Sequence, residues 1–391
     1  MVTKIILARF FSIFSEAFII FAIPVLVYTS TNSASLTSIA FGLERLARVI
    51  SLPLSGMIGH KLHPIKMLYL SDGIRACVCL LLYFFYPYIP SQYVITLIVP
   101  IACVLSFFSG AGYVNLEGFV SQTIPANKLS SVYSQLQFVE QFTYIAAPIL
   151  VGVLTLKVSI LQTFVFTAIP FTIGFITWLS IHKKDSSVNK EEAVKKSSKQ
   201  VLFYIASNRD LKKIISLTFL VNVMQGALLS TAVYVITTIF HQPEQGYAQA
   251  LAMAGIANCL LFFIAPRLIR RFHVRGVGLS AFIIASCGLF LIGLSHSYYL
   301  YLLGFLFIIG SEGCFNLFSR FYRAKLLPSE GFSRYLGIVL VLNQLAVPLA
   351  SFFCARLLLQ FDYKFIFLGF FVFIVISFLI INPFRYFTSN D

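Results

Sequence analysis

Charged residues are scarce in this 391-residue chain: Asp, Glu, Lys and Arg make up 11%, against roughly 25% in an ordinary globular domain. That scarcity excludes a soluble multidomain enzyme and a highly charged disordered chain. Acidic residues are the rarer sign, 14 against 29 basic. No Walker loop is present, so nothing cradles a nucleotide phosphate and ATP is not the expected energy source. Cys77, Cys79, Cys103, Cys259, Cys287, Cys314 and Cys354 all fall in apolar runs without CxxC or zinc spacing. They read as small packing residues, neither a disulfide frame nor a metal centre. The six histidines lie in loops or near the ends of apolar runs, so no metal cluster is expected at membrane depth.

Hydrophobicity is what the chain has in abundance: 59% of residues and a mean hydropathy of +0.88. About 20 apolar residues cross a bilayer. Apolar runs between polar breaks predict twelve spans, near 5–28, 36–57, 66–87, 93–115, 131–154, 160–181, 212–240, 247–266, 277–295, 298–319, 334–356 and 364–382. The first run is too long for a signal-peptide core and no small-residue cleavage pattern follows it, so it is expected to remain as a helix. The expected fold is all-α and integral to the membrane. Lys and Arg gather on alternate loops. Only Lys157, Arg356 and Lys364 fall on the other side, and Arg45, Arg48 and Arg75 lie within spans. This asymmetry predicts cytoplasmic termini, and it accounts for the net charge of +15 without nucleic acid. Short outer loops and the absence of an Asn-x-Ser/Thr sequon suit a bacterial inner membrane.

One long polar stretch, His182 to Lys213, divides the spans six and six. Residues 1–182 and 212–391 are expected to be two bundles, with 183–211 as a cytoplasmic linker. The halves echo each other. Gly112-Tyr-Val-Asn115-Leu116 recurs as Gly313-Cys-Phe-Asn316-Leu317, Pro125 with Ser130 as Pro328 with Ser333, and Glu140-Gln141 as Asn343-Gln344. Matches in one order argue for a duplicated six-helix unit, the layout of a carrier that rocks around a central site.

The loop after the second span reads Gly56-x-x-x-His60-Lys61-x-His63-Pro64-Ile65-Lys66. It resembles the signature of the major facilitator superfamily, Gly-x-x-x-Asp-Arg-x-Gly-Arg-Arg/Lys, with His60 in place of Asp. Asp72-Gly-Ile-Arg75 is similar to the Asp-x-x-Arg found at the start of that family's third helix. Phe21-Ala-Ile-Pro24-Val-Leu-Val-Tyr28 with Ser33-Ala34 resembles the efflux branch containing macrolide pumps and siderophore exporters. Ala147-Pro148-x-x-x-Gly152 is similar to its Gly-Pro antiporter motif, with Ala for Gly. The resemblance covers essentially the whole chain. It implies two pseudo-symmetric six-helix bundles, and a gate formed by Gly56, His60, Lys61, Asp72 and Arg75.

Ionisable groups at membrane depth each cost on the order of 2.5–3.5 kcal/mol or more, so they mark function. Glu16, Glu44, Glu140 and Glu312 lie near the centres of their spans, and are the candidates to carry a coupling proton. Glu16 ranks first, read as a lone carboxylate, with Glu140 second. Helical spacing groups Ser12, Ser15 and Glu16; Glu44, Arg48, Ser51 and Ser55; Gln137, Glu140, Gln141 and Tyr144; and Glu312, Asn316 and Ser319 on shared faces. Glu44 and Arg48, one turn apart, are expected to pair. Arg45 has no local partner and is a candidate for an anionic substrate group. Arg45, Arg48, Gln141, Asn222, Gln225, Asn258, Asn343 and Gln344 form the candidate substrate set.

The reading that follows is a secondary active transporter rather than an enzyme. It needs no cofactor beyond a proton gradient, acts as a monomer in the bilayer, and exports a drug-like or siderophore-like molecule, for which an anionic group is one expectation. A proton-linked importer of an organic anion or siderophore would use the same residues.

Overall fold

The computed structural model describes residues 1–59, 63–90, 93–159, 161–181, 198–328 and 332–383, and every regular element among them is helical. The first six helices are α1 (Val2–Thr31), α2 (Ala34–Gly59), α3 (Pro64–Phe85), α4 (Val94–Thr123), α5 (Ala126–Leu154) and α6 (Thr163–Leu179). The remaining helices are α7 (Ser198–Ser207), α8 (Arg209–Tyr234), α9 (Gln245–Gly293), α10 (Tyr298–Gly310), α11 (Glu312–Leu326), α12 (Phe332–Gln344), α13 (Ala346–Leu357) and α14 (Tyr363–Ile381). Local chemistry sets several ends. His63 and Pro64 open α3, where proline's missing N–H is not needed. The Asn208 side chain accepts from Leu211 N at the start of α8, and that of Asp362 from Lys364 N at the start of α14, satisfying otherwise orphaned donors. Asn32 and Asn382 close α1 and α14 in the left-handed conformation.

Nine segments among the described residues are long and apolar enough to cross a membrane. With α2, α5 and the shorter α6 they follow the order of the twelve predicted spans, and the chain is an all-helical, multi-pass membrane protein. On α14, Phe365, Leu379 and Ile380 are 68%, 69% and 79% exposed. Such apolar exposure is unfavourable in water and expected against lipid.

The chain forms two compact units. The first takes in Met1 through α6 together with Pro243–Ala252, and the second Ser198–Gln242 and Met253 onward. In the first, α1 packs on α5 and α6, α2 on α4, and α3 on α4 and α6. Close approach of α2 and α4 needs Gly110: a Cβ there would collide with Ser51 Oγ and lie 2.9 Å from Arg48 O. In the second unit α8 is the central element, contacting α10 to α14.

Three features depart from the sequence reading. Residues 198–211, expected as linker, are helical: Val201, Ile205 and Leu211 are buried with Leu327, Tyr335 and Val339. Pro243–Ala252 joins the first unit although it falls within 212–391. Tyr247 stacks on Phe21 with ring centroids 5.9 Å apart, and Gln245 Nε2 donates to Thr155 O at 3.1 Å. The spans at 298–319 and 334–356 run on as Tyr298–Leu326 and Tyr335–Leu357, each passing one turn residue, Ser311 and Leu345, whose backbone stays right-handed helical. Finally, α9 runs through two predicted spans, interrupted by positive φ at His273.

Candidate functional site

In the first unit, four helices bring charged side chains into one network, and a fifth adds aromatic contacts. Arg75 on α3 donates through Nη1 to Glu16 Oε1 on α1 at 2.6 Å, and through Nη2 to Asp72 Oδ1 at 2.5 Å. Arg48 on α2 lies 4.0 Å from the other oxygen of Glu16. Asp72 Oδ2 accepts from Ser12 Oγ at 2.5 Å and from the indole of Trp178 at 3.0 Å. The Arg75 guanidinium lies 4.4 Å from the Phe171 ring centroid, a cation–π contact strengthened by exclusion of water. Arg9, about two turns before Glu16 on α1, pairs with Glu140 on α5 at 3.0 Å. A small cavity with room for about one water lies among Arg9, Ser12, Asp72, Arg75 and Trp178.

This geometry corrects several expectations. Glu16 is not a lone carboxylate but sits between two guanidiniums, and Glu140 is held by Arg9. Protonating Glu140 would take from buried Arg9 its paired carboxylate, and protonating Glu16 would leave Arg75 with Asp72 alone. Glu44 and Arg48 do not form the expected one-turn pair. Glu44 turns toward Ser106 on α4, while Arg48 reaches across to Glu16. Arg45 has a partner after all, Glu44 at 3.8 Å, and packs 4.8 Å from the Phe41 ring centroid. Arg75, assigned to a gate, is 2% exposed and joins Asp72 to Glu16. Arg9, counted among the cytoplasmic charges, is 7% exposed. His60, Lys61 and the side-chain surroundings of Gly56 and Gln141 lie outside the described residues, as do Lys183, Lys184, Lys195 and Lys196.

Sequence reasoning missed Trp178, Ser106 and Tyr247. Trp178 is the chain's single tryptophan, a signal that could have drawn notice. Nothing in the spacing connects it to Asp72. A further polar cluster surrounds Glu44, where Glu44 Oε2, Arg45 Nε and the Tyr247 hydroxyl are buried without hydrogen-bond partners.

The second unit gathers a different set. Asn316 Nδ2 donates to Glu312 Oε1 at 3.3 Å, and Gln225 on α8 lies beside the same carboxyl. One turn before Gln225, Asn222 Nδ2 donates to the backbone oxygen of Asn343 at 3.0 Å. Asn258 adjoins the end of α10, since a Cβ on Gly310 would meet Ala257 Cβ at 3.0 Å and Asn258 N at 3.9 Å. Asn343 and Asn258 are 2% and 6% exposed. Yet both polar side-chain atoms of Asn343, with Asn258 Oδ1, have no partner. A buried polar group left unsatisfied costs about 1–3 kcal/mol. Glu312 forms no salt bridge among the described residues, and the charge of Arg320 on its own helix acts on it. Five of the predicted substrate residues, Asn222, Gln225, Asn258, Asn343 and Gln344, thus lie on the elements of this unit; of these, Gln225 adjoins Glu312 and Asn222 bonds to Asn343. Gln344 ends α12.

Membrane-length apolar helices that bury charged and polar clusters at that depth fit a multi-pass carrier of small molecules. Residues 5–322 match the sequence profile of the Major Facilitator Superfamily, and the chain belongs to that family. No curated protein matches it. Among solved structures it is similar to a mutant form of the nucleoside transporter NupG, with a TM-score of 0.79 at 12% identity, over 98% of this chain and 100% of that one. A POT family transporter in complex with a thioalcohol-conjugated peptide has a TM-score of 0.79 at 14% identity, over 98% and 95%. A D-xylose-proton symporter has 0.75 at 13%, over 97% and 96%. At these identities the likeness is one of fold. The protein is a transporter, not an enzyme.

Proposed function

We propose that this transporter is proton-coupled and exports a small organic molecule, drug-like or siderophore-like, across a bacterial inner membrane by alternating access, with both termini cytoplasmic. The observation that carries the reading is the state of Glu312. It has amide neighbours, no salt bridge among the described residues and the exposed Arg320 acting on it at longer range, whereas Glu16, Glu44, Glu140 and Asp72 each lie within 4 Å of an arginine. A carboxyl among amides can gain or lose a proton without stranding a buried cation, and the amides can hydrogen-bond either form. Export is the direction favoured by the resemblance at Phe21–Tyr28 and Ala147–Gly152. The distribution of Lys and Arg supports the orientation.

Glu312→Gln in proteoliposomes tests the coupling. It should abolish accumulation driven by a pH gradient while sparing exchange of substrate across the membrane. Concentrative transport with unchanged pH dependence would exclude Glu312 as the coupling acid.

A further inference from the structure

We infer that the second unit holds a recognition site for an uncharged or cationic nitrogenous group on the cargo, an amide or an amine, and not for an anionic one. The inference rests on the transporter reading and names the chemistry of its substrate. The site is built from Gln225, which adjoins Glu312, from Asn343, whose backbone Asn222 holds, and from Asn258, beside Gly310.

Three observations carry it. First, Asn343 and Asn258, both more than nine-tenths buried, have polar side-chain atoms without partners. Asn343 offers both a donor and an acceptor, and Asn258 an acceptor. A primary or secondary amide is the group whose own donor and acceptor match such a mixed set, and an anion could use only the donors. Second, Glu312 adds a carboxylate with no salt bridge among the described residues, which attracts an ammonium and repels a carboxylate or phosphate. Third, the arginines of the first unit's network, Arg9, Arg45, Arg48 and Arg75, each face a carboxylate within 4.0 Å. An anionic cargo group would have to displace one of those partners.

Binding to the purified full-length protein in detergent, read as thermal stabilisation, tests this with three probes of nearly one shape. They are 3-phenylpropanamide (neutral), 3-phenylpropylamine (cationic) and 3-phenylpropanoate (anionic). The neutral and cationic probes should stabilise the protein, and the anionic probe should not at tenfold higher concentration. Asn343→Leu keeps the volume and removes the unpartnered atoms. Its own melting temperature should hold or rise, while the probes' affinity falls at least tenfold. A purely structural Asn343 would instead give a lower melting temperature with probe affinity intact. Binding of the anionic probe as strongly as the others, binding of none, or undiminished binding by Asn343→Leu would overturn the inference. No gradient is applied, so a failure of proton coupling at Glu312 leaves this readout untouched.

Discussion

Arg75 on α3 uses its two terminal nitrogens to hold Glu16 of α1 at 2.6 Å and Asp72 of its own helix at 2.5 Å. The planar fork of a guanidinium suits two carboxylates at once, as the single point charge of a lysine would not. Removing one partner of such a buried pair is worth on the order of 3–5 kcal/mol. Glu16→Gln should therefore lower the unfolding stability of the purified protein by that order. The double variant Glu16→Gln with Arg75→Gln should lose less than the two single losses combined. Additive losses in denaturant melts would mean that the pair is not coupled.

The contact between Trp178 and Asp72 can be watched directly, because Trp178 is the only tryptophan in the chain and is 1% exposed. Gly174, one turn before it on α6, has no room for a methyl: a Cβ would lie 2.7 Å from Asp72 Oδ2. Gly174→Ala should push Asp72 away from the indole and shift the emission to longer wavelength as water enters. Gly118→Ala, where a Cβ meets nothing within 4 Å, should leave the spectrum unchanged. Identical spectra for both variants would count against the packing of α6 on Asp72.

Arg45 separates two ideas of how charge is used. Beside Glu44 and the Phe41 ring it is part of the first unit's own balance. Arg45→Gln should then reduce transport of anionic and neutral substrates by a similar factor. A selective loss of affinity for anions, measured as a larger rise in KM for the anionic member of a matched pair, would restore it as an anion contact.

α7 should be an independently loosened element. Ile205, 6% exposed, packs in the cluster with Val201, Leu327 and Tyr335. The Tyr204 hydroxyl donates to Leu326 O at 2.8 Å. Truncating a buried isoleucine to alanine costs about 2–5 kcal/mol. Ile205→Ala should raise hydrogen exchange across 198–207 while α8 stays protected. Unchanged exchange in α7 would show that the cluster does not hold it.

The amino-acid sequence determined the membrane class, the order of the helices and the depth of the acids, because long apolar runs and the price of intramembrane charge are both local properties of the chain. It also exposed the polar faces of α1 and α11: Ser12 and Glu16 share one network, and Glu312 and Asn316 share a hydrogen bond. Ion-pair partners were not legible. Arg48 could be matched by spacing only to Glu44, four residues away, yet its nearest carboxylate is Glu16 on another helix. Arg9 looked like a topological charge until α5 brought Glu140 to it. Burial of Ile205 and Val201 turned an apparent linker into a helix. In each case the deciding energy is a contact between residues distant in sequence, which side-chain periodicity cannot encode and only the packed helices supply.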